Sequence, residues 1–331
     1  MKRIMAFILA LVLAFSLSVT ALAETSYPVT VTDQLGREVT IGQEPETLVS
    51  GYYISTSLLI ALGLEDKLVG IEAKAGSRSI YRLSAPQVID LPSVGTAKEF
   101  DLEGCAALEP DLIVLPAKLQ SVIPALEELG LTVIAVNPED KALLEEAVTL
   151  LGTATNTGDR AAALLAFHDA KLEPLTEALQ GTDMPSVYLA GNSSFLTVAG
   201  PAMYQNSLIA QAGGVNVAAE ITEDYWAEIS YEQLLAWDPD YIILAADAEY
   251  TVDSILRDEN LRDCAAVKNG RVYQLPGDIE AWDSPVPSSI LGGMWLATVI
   301  HPDAYPTDAW IQAASEYYET FYGFTPDFGG Q

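Results

Sequence analysis

Five of the chain's 16 lysines and arginines, Lys74, Arg78, Arg82, Lys98 and Lys118, fall between positions 74 and 118 of a sequence in which acids outnumber bases 46 to 16. Cations gathered against an acidic background can hold an anionic group, whether carboxylate, phosphate or oxyanion. Arginine offers a planar fork of donors for this, and lysine a compact charge. Aromatic residues accompany them: Tyr52 and Tyr53 at the end of the first predicted core strand, Tyr81 in the basic stretch, and Tyr225, Trp226 and Trp282 in loops of the second half. A cleft of rings with a few cations suits a large, partly flat, anionic ligand. The candidate ligand-binding residues are therefore Tyr52, Lys74, Arg78, Arg82, Lys98, Tyr225, Trp226 and Trp282.

Catalysis is poorly supplied by comparison. His168 and His301 are the only histidines, and both read as surface or packing residues. There is no Gly-x-Ser-x-Gly elbow, phosphate-cradling loop or Cys/His zinc spacing, and Gly213-Gly214 follows a helix rather than a strand. No catalytic residue, metal site or cofactor is expected. Cys105 and Cys264 have no motif around them and read as two buried thiols. The net charge of −30 argues against nucleic acid and anionic membrane surfaces as partners.

The elements that position these residues are written twice. Leu102–Leu115 (LEGCAALEPDLIVL) and Tyr231–Leu244 (YEQLLAWDPDYIIL) share a Glu at the second position, a Pro-Asp seven and eight residues later, and an apolar run. Each copy predicts a short helix ended at its Pro and then a buried strand. Glu103 and Glu232 each follow a capping residue, Asp101 or Ser230, and a first-turn Glu suits the helix dipole. That both halves place it at the same step points further, to two matched carboxylates meeting matched cationic sites on a two-fold partner.

The alternation of strand and helix predicts an α/β fold: two Rossmann-like lobes with mostly parallel sheets, joined by a single long α-helix. Residues 24–138 form the N-terminal lobe, 139–180 the connecting helix and 181–331 the C-terminal lobe. In the first lobe a hairpin is expected over Val29–Ile41, strands over Thr47–Gly51, Lys67–Ile71, Asp111–Leu115 and Thr132–Val136, and helices over Ile54–Leu62 and Lys118–Leu129. The loop-rich stretch Glu72–Pro92 has no counterpart in the second half and carries most of the clustered cations. Residues 1–23 read as a secretory signal: Lys2-Arg3, an apolar run, then Ala21-Leu22-Ala23 before Glu24. With no Cys at the cleavage point, the expectation is an exported periplasmic or extracytoplasmic protein without a lipid anchor.

On VTDQLGREVTI (31–41), LEGCAALEPDLIVL, AGGVNVA (212–218), ISYEQLLAWDPDYIIL (229–244) and AVKNGRVYQLPGD (266–278), the chain resembles the ABC-transporter substrate-binding proteins of the cobalamin, iron-siderophore and haem type. The resemblance implies a monomeric, non-enzymatic importer component. Such a component captures a metal chelate between its lobes and delivers it to a dimeric permease with ATPase subunits. It also implies that Glu103 and Glu232 dock into the permease and that Trp226 lines the ligand site. Ala97, with Lys98 beside it, and Lys74 stand where the cobalamin branch has aromatics. The expectation is therefore an iron complex, siderophore or haem, with molybdate/tungstate or cobalamin binding as alternatives. An extracytoplasmic α/β enzyme with a cleft carboxylate is the alternative from another class.

Overall fold

The structure, a computed structural model, describes residues 25–223 and 225–328; the expected signal segment lies outside them. The chain opens with an antiparallel hairpin, β1 (Val29–Thr32) and β2 (Glu38–Ile41), turning at Gly36 with φ +76°. Asp33 fixes the turn by accepting from the Leu35 and Arg37 amides, each at 3.0 Å, and from the Arg37 guanidinium.

In the first lobe β3 (Leu48–Ser50), β4 (Leu68–Gly70), β5 (Leu112–Pro116) and β6 (Val133–Val136) form a parallel sheet in the order β4-β3-β5-β6. Every residue of β3, β5 and β6 is buried, Ser50 included, as near-continuous apolar runs require when helices cover both faces. In the second lobe β7 (Ser186–Ala190), β8 (Thr197–Val198), β9 (Val215–Asn216), β10 (Ala227–Glu228), β11 (Tyr241–Leu244) and β12 (Val272–Gln274) run β10-β8-β7-β11-β12, with β9 also on β7. Its centre, β7-β11-β12, is parallel, and β8 and β10 add an antiparallel edge.

The repeated stretch folds alike in both lobes. The helices Leu102–Ala107 and Tyr231–Trp237 are capped by Asp101, which accepts from the Gly104 amide at 2.9 Å, and by Ser230, which accepts from the Gln233 amide at 3.2 Å. Before each Pro the chain passes through the left-handed region, at Glu109 (φ +49°) and Asp238 (φ +44°). The Asp after each Pro then ties down the neighbouring strand. Asp111 accepts from the Thr47 amide and hydroxyl at 2.9 and 3.0 Å, and Asp240 from the Ser186 amide and hydroxyl at 2.8 and 2.7 Å. Those bonds hold the Asp111 and Asp240 carboxyls below the usual range, against the upward pull of burial.

Two sequence expectations need correction. Residues 139–180 are not one helix but two, Lys141–Ala154 and Gly158–Ala178, broken where Asn156 takes φ +59°. The first belongs to the N-terminal lobe, where the Gln34 amide donates to the Leu143 carbonyl at 2.8 Å. The second alone is the strut, about 30 Å long at 1.5 Å per residue. The helix expected over Lys118–Leu129 is a 3-10 turn, Ala117–Val122, followed by helix Ile123–Glu128, because Pro124 suits only the first turn of a helix.

The lobes are also stitched at the back. Arg160 on the strut donates to the Ala61 carbonyl (2.6 Å) and the Phe321 carbonyl (2.7 Å), joining helix Tyr53–Ala61 to the last helix, Thr307–Tyr322. Beneath them lies helix Ile290–Ile300 (ILGGMWLATVI), buried on nearly all sides as its uniform apolarity demands. The result is one continuous core running through both lobes.

Candidate functional site

The C-terminal ends of the parallel strands in the two lobes face each other, which is where α/β sheets present ligand sites. Each lobe's first core strand is followed by a glycine that nothing larger could replace without displacement. A Cβ at Gly51 would lie 2.5 Å from Leu115, and one at Gly191 2.4 Å from the Thr197 hydroxyl and 3.0 Å from the Trp226 ring. After Gly51 the chain enters helix Tyr53–Ala61, which buries Ser55, Thr56 and Ser57 in succession.

From these elements the first wall is built. Buried Glu72, just past β4, accepts from the Thr56 hydroxyl at 2.6 Å and the Tyr81 hydroxyl at 2.8 Å. Burial pushes its carboxyl above the usual range, and the two hydroxyls and the Arg78 charge pull it back in part. The Tyr81 hydroxyl also reaches the Tyr53 carbonyl at 3.2 Å. Arg78 lies across the Tyr53 ring, guanidinium carbon 4.2 Å from its centre, and its buried Nε has no hydrogen-bond partner.

The second wall comes from the loops after β11 and β12. Asp247, Gly277, Ile279, Glu280 and Ala281 close, with Tyr53, Ser57 and residues 77–80, a cavity of about 240 Å3 between the lobes. Two hydrogen bonds cross beside it: Ser57 Oγ donates to Glu280 Oε1 at 2.6 Å, and Tyr53 Oη to Ser284 Oγ at 3.0 Å. Ser288 donates to the other Glu280 oxygen. Burial raises the Glu280 carboxyl, and these hydroxyls and Arg78 oppose the shift. Buried Asp283 nearby is pushed up to about 6, by desolvation first and Asp247 second. Surface grooves of about 890 and 910 Å3 run along the strut and beneath the hairpin, but the strand ends of the two lobes do not line them.

Of the eight ligand candidates, Arg78 alone lines this cavity. Tyr52 stands behind it, edge-on to Tyr53 at 4.8 Å. Arg82 turns back to brace its own loop, donating to the Gly76 carbonyl at 2.6 Å and the Ser79 hydroxyl at 2.9 Å. Lys74, in the left-handed region at φ +73°, and Lys98 are exposed on turns away from the lining. Tyr225 is 49 % exposed and meets the first lobe through Lys118, whose Nζ sits 4.5 Å from its ring centre. The Trp226 ring packs over Gly191 in the second lobe. Trp282 is a core residue: 1 % exposed, edge-on to Trp310 at 5.8 Å, with its indole N–H donating to the Tyr318 hydroxyl at 2.8 Å.

Sequence reasoning named Tyr53 among the aromatics without selecting it for the ligand, and it missed Ser57, Asp247 and Glu280. A signal existed for one of them, since three successive hydroxyl residues on an otherwise apolar helix are costly to bury without partners. The histidines are packing residues, as expected. His168 is buried with Nε2 3.0 Å from the Pro287 carbonyl, its pKa lowered to about 4 by desolvation, and His301 Nε2 is 3.2 Å from the Gly213 carbonyl. Cys105 and Cys264 are free and buried. Glu103 and Glu232 are exposed in the first turns of the matched helices, the Glu232 carboxyl held low by hydrogen bonds from its own amide and Ser230.

Comparison with known proteins agrees with this architecture. A family model described as periplasmic binding protein matches residues 48–279. The molybdate-binding protein MolA of Haemophilus influenzae is 25% identical over 342 residues, 94% of this chain and 95% of that protein. A cobalamin-binding protein of Halobacterium salinarum is 27% identical over 230 residues, covering 68% and 60%. A periplasmic solute-binding protein of Veillonella parvula superposes with a TM-score of 0.77 at 27% identity, over 91% of this chain and 94% of that one. No helix among the described residues is long and apolar enough to cross a membrane.

Proposed function

Since this chain belongs to the periplasmic binding protein family and is the substrate-binding protein of an ABC importer rather than an enzyme, we propose that its ligand is a small oxyanion of the molybdate and tungstate class. The observation that carries this is the cavity of about 240 Å3 with the unpartnered, buried Nε of Arg78 in its wall. Sites for drug-sized ligands run to roughly 300–1,000 Å3, and haem, siderophores and corrinoids need at least that. A compact anion fits the space and satisfies the open donor. Of the hydroxyls around it, Ser79 accepts from Arg82 and keeps its own proton to give, while those of Tyr53, Ser57 and Ser77 donate to Ser284, Glu280 and the Lys74 carbonyl. The likeness to a relative named for molybdate, over nearly the whole of both chains, supports the same reading over the iron complex expected from sequence.

The ligand enters as the lobes part, and the Ser57–Glu280, Tyr53–Ser284 and Lys118–Tyr225 contacts re-form on closure. Docking to the dimeric permease goes through Glu103 and Glu232, one on each lobe, and release follows when the permease spreads the lobes. Calorimetric titration of the purified protein with molybdate, tungstate, sulfate, phosphate, a ferric siderophore, haem and cobalamin tests the ligand. Stoichiometric binding of molybdate and tungstate is expected; binding of a chelate with no response to either oxyanion would sink the reading. For docking, the double variant E103R/E232R should keep its ligand affinity within about twofold and lose uptake. Loss of ligand binding instead would show that these carboxylates serve the cavity.

A further inference from the structure

We propose that a dianion bound in the interlobe cavity is taken up together with one proton, and that Glu280 is the side chain that carries it. This deepens the oxyanion reading and rests on it. Glu280 is buried in the same cavity wall that faces Arg78, and both its oxygens are already engaged as acceptors, by Ser57 from the other lobe and Ser288 from its own. None of the ion pairs among the described residues includes it. The positive charge acting on it is Arg78, which also serves Glu72 in the first lobe. One guanidinium therefore balances two buried carboxyls before any ligand arrives.

The other groups around Glu280 supply no positive charge. Tyr53 and Asp247 share the cavity with it, Asp283 is three residues along its loop, and Tyr317, Tyr318 and Tyr322 of the last helix feel its charge from behind. A dianion placed at Arg78 occupies the one counter-charge and repels the carboxylate beside it. In a site closed from water both effects favour the protonated acid. The proton comes from solvent, and no bond of the ligand breaks. On protonation one Glu280 oxygen changes from acceptor to O–H donor. That frees the Ser57 hydroxyl, also in the cavity wall, to turn towards a ligand oxygen. Through linkage, affinity weakens about tenfold per pH unit over the range in which one proton is taken up per ligand bound.

The test is calorimetric titration of molybdate in buffers of different ionisation enthalpy, which counts protons taken up per ligand. It is paired with the ligand-minus-free infrared difference spectrum, which reports a newly protonated carboxyl. Close to one proton, with a new carboxyl C=O band, is expected in the wild type and in D247N, and neither in E280Q. Where E280Q fails to fold, E72Q and D283N decide instead: uptake that persists in both and in D247N leaves Glu280 as the carrier, and uptake lost in either overturns the inference. Molybdate binding without proton uptake overturns the inference and leaves the oxyanion reading standing, as does uptake that disappears in D247N or persists in E280Q. If neither molybdate nor tungstate binds, the oxyanion reading falls and this inference with it.

Discussion

Replacing Arg78 with Ala separates a ligand-binding role from a structural one. In the free protein Arg78 makes one side-chain contact of consequence, its stacking on Tyr53 at 4.2 Å, and a partly exposed cation–π pair contributes about 0.5–2 kcal/mol. The loss is offset in part, since Glu72 and Glu280 can take up protons once their counter-charge is gone. Unfolding in urea should therefore shift by about 1 kcal/mol. Binding should suffer far more. The open Nε and the fork beside it offer charge-assisted hydrogen bonds of about 1.5–3 kcal/mol each, so the loss of even one is about 10- to 150-fold in Kd. R78K keeps the charge but replaces the fork with a single ammonium, so it should fall between R78A and the wild type. Titration calorimetry with molybdate and urea melts of the three proteins are the assays. An R78A protein that folds and binds within about twofold of wild type would refute the reasoning, because the cavity would then have no need of its only lining cation.

Other perturbations probe separate parts of the molecule. D111N and D240N should each destabilise by about 1–3 kcal/mol, since each weakens one carboxylate that holds a strand start in the same way; urea melts giving values more than about 2 kcal/mol apart would contradict the equivalence. Because both carboxyls are depressed in the folded state, their stabilisation is fully present above about pH 4 and lost as pH falls below it towards their folded values, which acid-unfolding curves of these variants against wild type would reveal as a flatter acid limb. A double-mutant cycle on K118A and Y225A should give a coupling of about 0.5–1 kcal/mol and a ligand dissociation rate raised a few-fold; a rate unchanged in both single variants would show that the contact does not hold the lobes together. W282F should cost about 1–3 kcal/mol in stability through the lost indole N–H bond to Tyr318 and lost ring area, with ligand affinity unchanged by titration.

What could be read without coordinates was whatever the chain encodes locally. The apolar runs of β5 and β11, the caps Asp101 and Ser230, and the glycine stop Gly213 (φ +77°) each depend on a few neighbouring residues, and each stands where expected. The repeat was legible for the same reason, and its Asp111 and Asp240 proved to share one job that only the strand pairing displays. The site was another matter. Arg78 and Arg82 sit one helical turn apart in one basic loop, yet one faces the other lobe and one braces its own turn. Within the segment 279–284 the sequence draws the eye to Trp282, while the fold sends that ring into the core and leaves Glu280 at the cavity.

Sequence by itself therefore determined the two α/β lobes, the duplicated helix-strand unit and the outward Glu103 and Glu232, because periodicity, capping and turn chemistry act over short range. Tertiary structure alone decided which side chains meet across the gap. Tyr53, Ser57, Arg78, Asp247 and Glu280 come from four separate loops and helix starts, up to 227 positions apart, and nothing local to any of them records the others. Their meeting depends on the strut, the Arg160 clamp and the continuous core that set one sheet's strand ends against the other's.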